Sequence, residues 1–205
     1  MIVVCLDLEG ILIPEIWWNV AEKTGLEELK KTTRDISDYD QLMRMRLRVL
    51  KENGISFREI RQIIQEIEPL PGALEFSNWI RRYHQLIVLS DTFEEFFRPI
   101  REKLDTPTLF CHTLTIGDTG MIENYRIRLS GHKRKTVELL KSLNYRVIAV
   151  GDSFNDLSML EAADAGILFR PPAAFTARFP EFPAKWDYRE LKSEISKNVK
   201  MPDQT

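Results

Sequence analysis

The chain has 205 residues and a formal net charge of -2, from 29 Lys and Arg against 31 Asp and Glu. Hydrophobic residues make up 43% of it and aromatic residues 10%, which is typical of a globular protein and excludes a disordered one. The balanced charge gives no global attraction to nucleic acid or to an anionic membrane, so a small molecule is the expected partner.

The cysteines and the first residues indicate the cellular compartment in which the protein is expected. Cys5 lies in an apolar run, where a thiol behaves as a small hydrophobe, and two cysteines are too few for a disulfide framework. The first residues show no basic leader and no cleavage signal, and no apolar run approaches the length of a membrane span. We therefore expect a cytoplasmic protein.

Short β-branched runs alternate with helix-like stretches, which predicts an α/β fold with a doubly wound, mostly parallel sheet. The predicted central strands are residues 2–6, 86–89, 146–150 and 166–169. Ligands of such sheets bind beyond the carboxyl ends of the strands, so polar residues that follow the strands should converge in one crevice. These residues are Asp7, Ser90, Asp91, Gly151 and Asp152.

Residues 14–70 are predicted to be an inserted α-helical cap over a catalytic core formed by residues 1–13 and 71–205. Helical patterns occupy residues 15–23, 39–52 and 57–67. Gly25 and Gly54 stand near the ends of the first two helices, and the segment contains no convincing strand. We interpret the cap as a lid over the crevice.

Three further patterns follow the second strand. Residues 113–129 alternate in polarity around a Gly-Asp-Thr-Gly sequence and predict a hairpin. Residues 170–186 are rich in Pro and Phe and predict an irregular arm, after which Asp187 and Glu190 open a last helix in capping-box spacing. The arm and the lid could serve a homodimer, although no pattern identifies the oligomeric state.

The carboxylates at the strand ends are suited to phosphate chemistry. A phosphate ester repels an anionic nucleophile, so an attacking carboxylate such as Asp7 needs a metal ion and cationic donors near the phosphorus. Asp7 and Asp152 offer an oxygen-rich site for Mg²⁺, which Asp156 could support from behind these ligands. Ser90 could donate its hydroxyl to a phosphoryl oxygen. Alternatively, each aspartate taken alone caps the helix that follows it.

Glu9 and Lys133 complete the predicted catalytic set. Glu9 stands two residues beyond Asp7, so one carboxyl could attack while the other transfers protons; the alternative is a solvent-exposed carboxylate at a helix start. Helical geometry places Lys133 on the same face as Val137 and places Lys135 on the opposite face. A buried lysine needs an anion nearby, which a phosphate and Asp7 would supply. Alternatively, only the aliphatic part of the side chain is buried and the ammonium extends into solvent.

Two residues of the lid could recognise an amino acid. Arg46 falls on the apolar stripe of its helix, whereas Arg44 and Arg48 share the solvated face. An inward arginine could clamp a substrate carboxylate, or it could form a buried salt bridge within the lid. Glu15 could bind a substrate ammonium or only favour the helix dipole, and Asn155 could add an amide contact.

No feature of the sequence indicates nucleic acid or a membrane as the partner. Trp17 and Trp18 are interpreted as packing of the lid against the catalytic domain rather than as a stacking platform for bases. The basic residues are scattered, without a nucleic-acid motif around them.

Four motifs resemble, in order and spacing, those of haloacid dehalogenase-like phosphatases over nearly the whole chain. They are Asp7-Leu8-Glu9-Gly10, Ser90, Lys133 and residues 151–156. The helical lid between the first two motifs is similar to that of phosphoserine phosphatases. The first motif, followed by Pro14-Glu15-Ile16-Trp17, resembles the bacterial bifunctional family that also transfers the phosphoryl group to homoserine. The resemblance implies Mg²⁺ as cofactor, phosphoserine as substrate, and water or homoserine as acceptor.

The resemblance also implies a role for each matching residue. Asp7 would be the nucleophile and a metal ligand, Glu9 the acid/base that offers its main-chain carbonyl to the metal, and Asp152 the other protein ligand. The residues implied around phosphoserine are Glu15 and Arg46 at its amino and carboxyl groups, Ser90 and Lys133 at its phosphate, Asn155 nearby, and Asp91 as a further substrate-binding residue.

Glu9 departs from the pattern, because most phosphatases of this superfamily have Asp at that position. The extra methylene moves the carboxyl outward by about 1.5 Å, enough to change which acceptor is deprotonated well. Transfer to homoserine is therefore expected to compete with hydrolysis.

Three rival functions remain open from the sequence. The first is a phosphatase for another small metabolite. The second is a signalling receiver domain, which also uses a phosphorylated Asp, Mg²⁺, a Ser or Thr and a Lys; the long lid and a nucleophile after the first strand count against it. The third is a catalytically weak binding protein in which Glu9 has displaced the acid/base function.

Overall fold

The computed structural model describes residues 1–33, 35–36 and 38–199. Within these residues, the strands are β1 Ile2–Leu6, β2 Gln85–Phe93, β3 Thr108–Ile116, β4 Ile122–Arg126, β5 Arg146–Gly151, β6 Ala165–Phe169 and β7 Ala184–Lys185. They form a single sheet in the order β4-β3-β2-β1-β5-β6-β7, in which only the β3–β4 pair is antiparallel. The predicted fold class is confirmed.

Strand β1 lies at the centre of the sheet because it is apolar on both sides. Val4 and Leu6 belong to one hydrophobic cluster, while Val3 and Cys5 belong to a second cluster on the opposite face. Side chains alternate between the faces of a strand, so a run without polar residues fits a strand that is covered on both sides. Strand β1 pairs with β2 and β5, which brings the carboxyl ends of these three strands together.

The helices cover both faces of the sheet. Within the described residues they are α1 Ile16–Thr24, α2 Tyr39–Glu52, α3 Phe57–Gln65, α4 Ala73–Tyr83, α5 Glu94–Phe97, α6 His132–Ser142, α7 Leu157–Ala162, α8 Ala173–Arg178 and α9 Tyr188–Val199. Each helix in this part of the chain is too short or too polar to cross a membrane.

Helices α1 to α3 occupy the segment between β1 and α4, close to the predicted bounds. Gly25 ends α1 with a φ of 72°, a left-handed conformation that glycine adopts without strain. Helix α3 ends at Gln65, two residues earlier than predicted. Val20, Met43 and Ile60 from the three helices join the same hydrophobic cluster as the sheet. The division into a core and a cap stays a prediction.

One prediction for the second half of the chain is confirmed and one needs correction. The hairpin over 113–129 is observed, because β3 pairs antiparallel with β4 from Thr113 to Ile116, although β3 itself starts at Thr108 and also pairs in parallel with β2. The arm over 170–186 is not irregular throughout, since it contains α8 and β7. Strand β7 spans two residues along β6, which is too short for a recognisable alternation in the sequence.

The last helix is capped and tied to the loop that follows β1. Asp187 Oδ1 accepts the Glu190 N–H at 2.8 Å, as the capping spacing predicts, but the Glu190 carboxylate accepts from Trp186 rather than from Asp187. Tyr188 donates its hydroxyl to the carbonyl of Ile11 at 2.6 Å. Helix α9 thereby restrains the chain four residues beyond Asp7.

Removing the Tyr188 hydroxyl tests this restraint. Tyr188→Phe keeps the buried ring but leaves the Ile11 carbonyl without this donor, so we expect a loss of about 1–3 kcal/mol in the free energy of unfolding, measured with urea. Tyr83→Phe, at a side chain that is 60% exposed, should change it by no more than about 0.5 kcal/mol. Equal stabilities of the two variants would contradict a stabilising role of this hydrogen bond.

Candidate active site

A cavity of about 300 Å³ opens at the carboxyl ends of β1, β2 and β5. The predicted site residues that line it are Asp7, Glu9, Glu15, Arg46, Ser90, Asp91, Asp152 and Asn155. Asp7 and Asp152 directly follow β1 and β5, whereas Ser90 and Asp91 lie inside β2, which runs on to Phe93. The expected convergence of polar groups is therefore observed.

Lys133 lies behind this cavity with its ammonium buried among carboxylates. Its Nζ is 2.8 Å from Asp156 Oδ1, 3.1 Å from Asp7 Oδ1 and 3.6 Å from Asp91 Oδ2. Lys135 is exposed, as the predicted helical faces require. Burial alone would lower the pKa of Lys133, but attraction to Asp156, Asp7 and Asp91 outweighs it and holds that pKa well above its ordinary value. The side chain is thus a permanent cation at neutral pH.

Three carboxylates crowd together, of which Asp7 and Asp152 line the cavity and Asp156 lies behind it. Oxygens of Asp7, Asp152 and Asp156 lie within 4.8 Å of one another, and Asp7 Oδ1 accepts the Leu8 N–H at 2.8 Å. Burial and then repulsion from Asp156 raise the pKa of Asp7 well above its usual range, and they raise the pKa of Asp152 to about 7. Such a concentration of oxygen ligands and negative charge suits a hard divalent cation.

Asp7 and Asp152 are the carboxylates best placed to hold Mg²⁺. Both oxygens of Asp156 are already engaged, Oδ1 by Lys133 and Oδ2 by the Asp152 N–H at 3.0 Å. Opposite Asp152, Gly10 has a φ of 75°, and a Cβ there would lie 2.5 Å from Asp152 Oδ2. The loop after β1 can approach the carboxylate this closely because it has glycine at that point. The donor set, made of oxygens alone, fits Mg²⁺.

Glu9 lines the cavity between the carboxylate cluster and helix α1. Its Oε2 accepts the N–H of Ile16 at 2.9 Å, so it does bind a helix start, although it is half-buried rather than free in solvent. Burial and then the neighbouring Glu15 raise the pKa of Glu9 well above its usual range. The surroundings therefore favour a protonated carboxyl facing the cavity.

Arg46 is 7% exposed and lies on the inward face of α2. Its Nη2 donates to the Lys31 carbonyl at 2.8 Å, and its Cζ lies 4.6 Å from the centre of the Trp17 ring. Among the residues that the structure describes, the buried Nε–H has no hydrogen-bond partner. Burial lowers the pKa of Arg46 to about 10, which leaves it charged at neutral pH. A charged donor at the cavity wall can bind an anionic group of a ligand.

The remaining predicted residues lie around the rim. Glu15 precedes α1 and makes no side-chain capping bond, and Asn155 donates to Asp91 Oδ2 at 3.3 Å. Trp17 packs edge-on against Phe96 at 5.5 Å between ring centres, as predicted. The packing prediction is wrong for Trp18, which is 49% exposed, because the neighbouring helical position turns toward solvent.

Two histidines beside Asp91 were not found from the sequence. His132 Nε2 lies 3.1 Å from Asp91 Oδ1, and His112 Nε2 lies 3.5 Å from the same oxygen. Burial alone would raise the pKa of Asp91, but Lys133 and the two histidines hold it well below its usual range. His132 adjoins Lys133 in sequence and could have been noticed. The approach of His112 depends on the pairing of β3 with β2, which no local pattern shows.

The fold and this site define a haloacid dehalogenase-like hydrolase. The model of that family matches residues 3–164, and the chain belongs to it. The chain is 51% identical over 197 residues to phosphoserine phosphatase ThrH of Pseudomonas aeruginosa, covering 96% of each protein. It is 50% identical over 195 residues to a phosphoserine phosphatase of Pseudomonas syringae, covering 95% of this chain and 82% of that protein.

A solved structure of phosphoserine phosphatase in its apo form has a similar fold. It superposes with a TM-score of 0.76 at 24% identity, covering 93% of this chain and 97% of the other. The resemblance to haloacid dehalogenase-like phosphatases, and among them to phosphoserine phosphatases, is therefore confirmed at the level of sequence and fold.

Removing the buried ammonium tests the electrostatics of the site. Lys133→Met leaves Asp7, Asp91 and Asp156 without their shared cation, so we expect a loss of about 3–5 kcal/mol in the free energy of unfolding at neutral pH. The loss should shrink as the pH falls, because protonated carboxyls no longer repel one another. Lys135→Met, on the exposed face of the same helix, should change little. Equal stability of the two variants in urea unfolding at neutral pH would contradict this account.

Proposed function

We propose that the protein is a Mg²⁺-dependent phosphoserine phosphatase that also transfers the phosphoryl group to homoserine, through a covalent intermediate on Asp7. One observation carries the proposal: a single cavity combines Asp7, paired with the buried Lys133, and the buried guanidinium of Arg46 with its Nε–H unpartnered among the described residues. The name of the 51% identical relative, a phosphoserine phosphatase, supports the same substrate.

The cavity has separate groups for the two ends of phosphoserine. Arg46 binds the carboxylate, since its guanidinium can donate to both oxygens, and Glu15 binds the ammonium. Ser90 and Lys133 bind the phosphate oxygens, and Asp91 and Asn155 hold this end of the cavity in shape through their mutual hydrogen bond. A substrate bound this way has its phosphorus at Asp7.

The reaction proceeds in two displacements. A carboxylate oxygen of Asp7 forms a bond to phosphorus while the bond from phosphorus to the serine oxygen breaks, and Glu9 donates a proton to that leaving oxygen. Glu9 then accepts a proton from water or from the homoserine hydroxyl as its oxygen attacks the phosphoryl group. This step restores the Asp7 carboxylate and releases phosphate or phosphohomoserine.

Charge neutralisation makes the attack feasible. Lys133 offsets the charge of Asp7 from within the protein. Asp7, Asp152 and the main-chain carbonyl of Glu9 would hold Mg²⁺, which when bound neutralises charge on the phosphoryl oxygens. Asp156 supports the arrangement by holding both Lys133 and the backbone of Asp152.

One incubation tests both the substrate and the acceptor. With phosphoserine and Mg²⁺ we expect free phosphate, and with homoserine added we expect phosphohomoserine beside it. Glu9→Asp should shift the product ratio toward phosphate, because the shorter side chain withdraws the base by about 1.5 Å. An unchanged ratio would exclude Glu9 as the determinant of the acceptor. Failure of the parent protein to release phosphate would refute the proposed function.

Arg46→Ala tests the amino-acid assignment. A hydrogen bond to a charged group contributes about 1.5–3 kcal/mol, so KM for phosphoserine should rise about 10- to 100-fold. Hydrolysis of p-nitrophenyl phosphate, which has no amino-acid group, should change little. Arg48→Ala is the matched control, because Arg48 is exposed on the opposite face of the same helix. Equal effects of Arg46→Ala on the two substrates would remove Arg46 from amino-acid recognition.

A further inference from the structure

Asp91, His112 and His132 form a compact group of donor atoms, here called the histidine cluster. The two histidines are 3% and 2% exposed, and their ring centres lie 4.9 Å apart. Three separate elements supply the residues, β2, β3 and α6. Both Nε2 atoms face one carboxylate oxygen, Asp91 Oδ1, at 3.5 Å and 3.1 Å. The chemistry proposed for the cavity makes no use of the histidines.

The three donor atoms of the histidine cluster lie within 4.8 Å of one another, and the two distances from Asp91 Oδ1 to the histidine nitrogens are close to those between ligands of one tetrahedral metal ion. Metal–ligand bonds of about 2.0–2.1 Å place tetrahedral ligand atoms about 3.3 Å apart. The observed 3.1 Å and 3.5 Å lie on either side of that value. For an N–H···O hydrogen bond alone, 3.5 Å exceeds the normal range. Two imidazoles and a carboxylate are ligands typical of Zn²⁺, whereas Mg²⁺ prefers oxygen.

A metal ion on the two Nε2 atoms requires neutral imidazoles that carry their proton on Nδ1, which in His132 is buried without a hydrogen-bond partner among the described residues. Burial lowers the pKa of His132, which favours the neutral imidazole that metals bind. Metal binding through Nε2 moves the ring proton of His112 to Nδ1, where only a long contact of 3.4 Å from the Arg128 N–H is lost. Lys133 faces Oδ2 of Asp91 and the histidines face Oδ1, so the two cations would contact different oxygens of one carboxylate.

We propose that the histidine cluster binds one transition-metal ion of the Zn²⁺ type, at a site separate from the oxygen ligands Asp7 and Asp152. Asp91 lines the catalytic cavity, so the histidine cluster adjoins that cavity. An ion bound to Oδ1 would withdraw negative charge from the Asp91 carboxylate. The other oxygen of this carboxylate, Oδ2, contacts Lys133 and Asn155. Occupancy of the cluster is thereby coupled to the phosphate end of the cavity.

Co²⁺ and Zn²⁺ are the probes for this site, used on the full chain with Mg²⁺ in excess. We expect one Co²⁺ per chain with the strong visible absorption of a four-coordinate ion, displaced by Zn²⁺ but not by further Mg²⁺. Calorimetric titration should show the Zn²⁺ affinity falling by about 100-fold or more in His112→Asn and in His132→Asn. His84→Asn is the matched control, because His84 stands at the opposite, amino end of β2 and should leave the affinity unchanged.

Three results would overturn the site: a weak octahedral Co²⁺ spectrum, displacement of Zn²⁺ by Mg²⁺, or Zn²⁺ affinity that is unchanged in both cluster variants. Circular dichroism establishes whether each variant folds. Should the cluster variants fail to fold, the Co²⁺ spectrum and the Mg²⁺ competition of the parent protein decide the question by themselves. None of these readouts depends on phosphoserine turnover, so the outcome is independent of the proposed function.

Discussion

The buried ammonium of Lys133 is the charge around which the site is assembled. It contacts carboxylates from three parts of the chain, namely Asp7 after β1, Asp91 within β2 and Asp156 after β5. Burying an ion without a partner costs several kcal/mol, and so does burying a carboxylate. The lysine and the carboxylates therefore stabilise one another only when β2, β1 and β5 lie side by side, as the sheet order places them.

The same constraint extends from Lys133 to the loop that carries Asp152. Asp156 uses one oxygen for Lys133 and the other for the Asp152 N–H, so charge and backbone are fixed together. Gly151 permits this packing, because a Cβ at that position would lie 2.4 Å from the Cβ of Asp156. Asp156 thus helps to fix the positions of Lys133 and Asp152 relative to Asp7. It does so from behind the cavity, which it does not line.

Local patterns were sufficient for much of the fold and for part of the site. The buried strands are β-branched runs, and the inward faces of Lys133 and Arg46 follow from helical periodicity, which needs no knowledge of distant residues. Strand β7 was not predicted because two residues are too few to show an alternation of polar and apolar side chains. The start of β3 was not predicted because its parallel partner, β2, is remote in sequence. The contact of His112 with Asp91 has the same origin, since it exists only through strand pairing.

The proposed function depends above all on a covalent bond between the Asp7 carboxylate and phosphorus. The most direct measurement is to quench the protein with acid during turnover of phosphoserine and to locate the phosphoryl group by peptide mass spectrometry. The account predicts a base-labile phosphoryl group on the peptide at Asp7, absent from an Asp7→Asn protein that has lost turnover. Phosphoryl transfer to another residue, or undiminished turnover in Asp7→Asn, would contradict it.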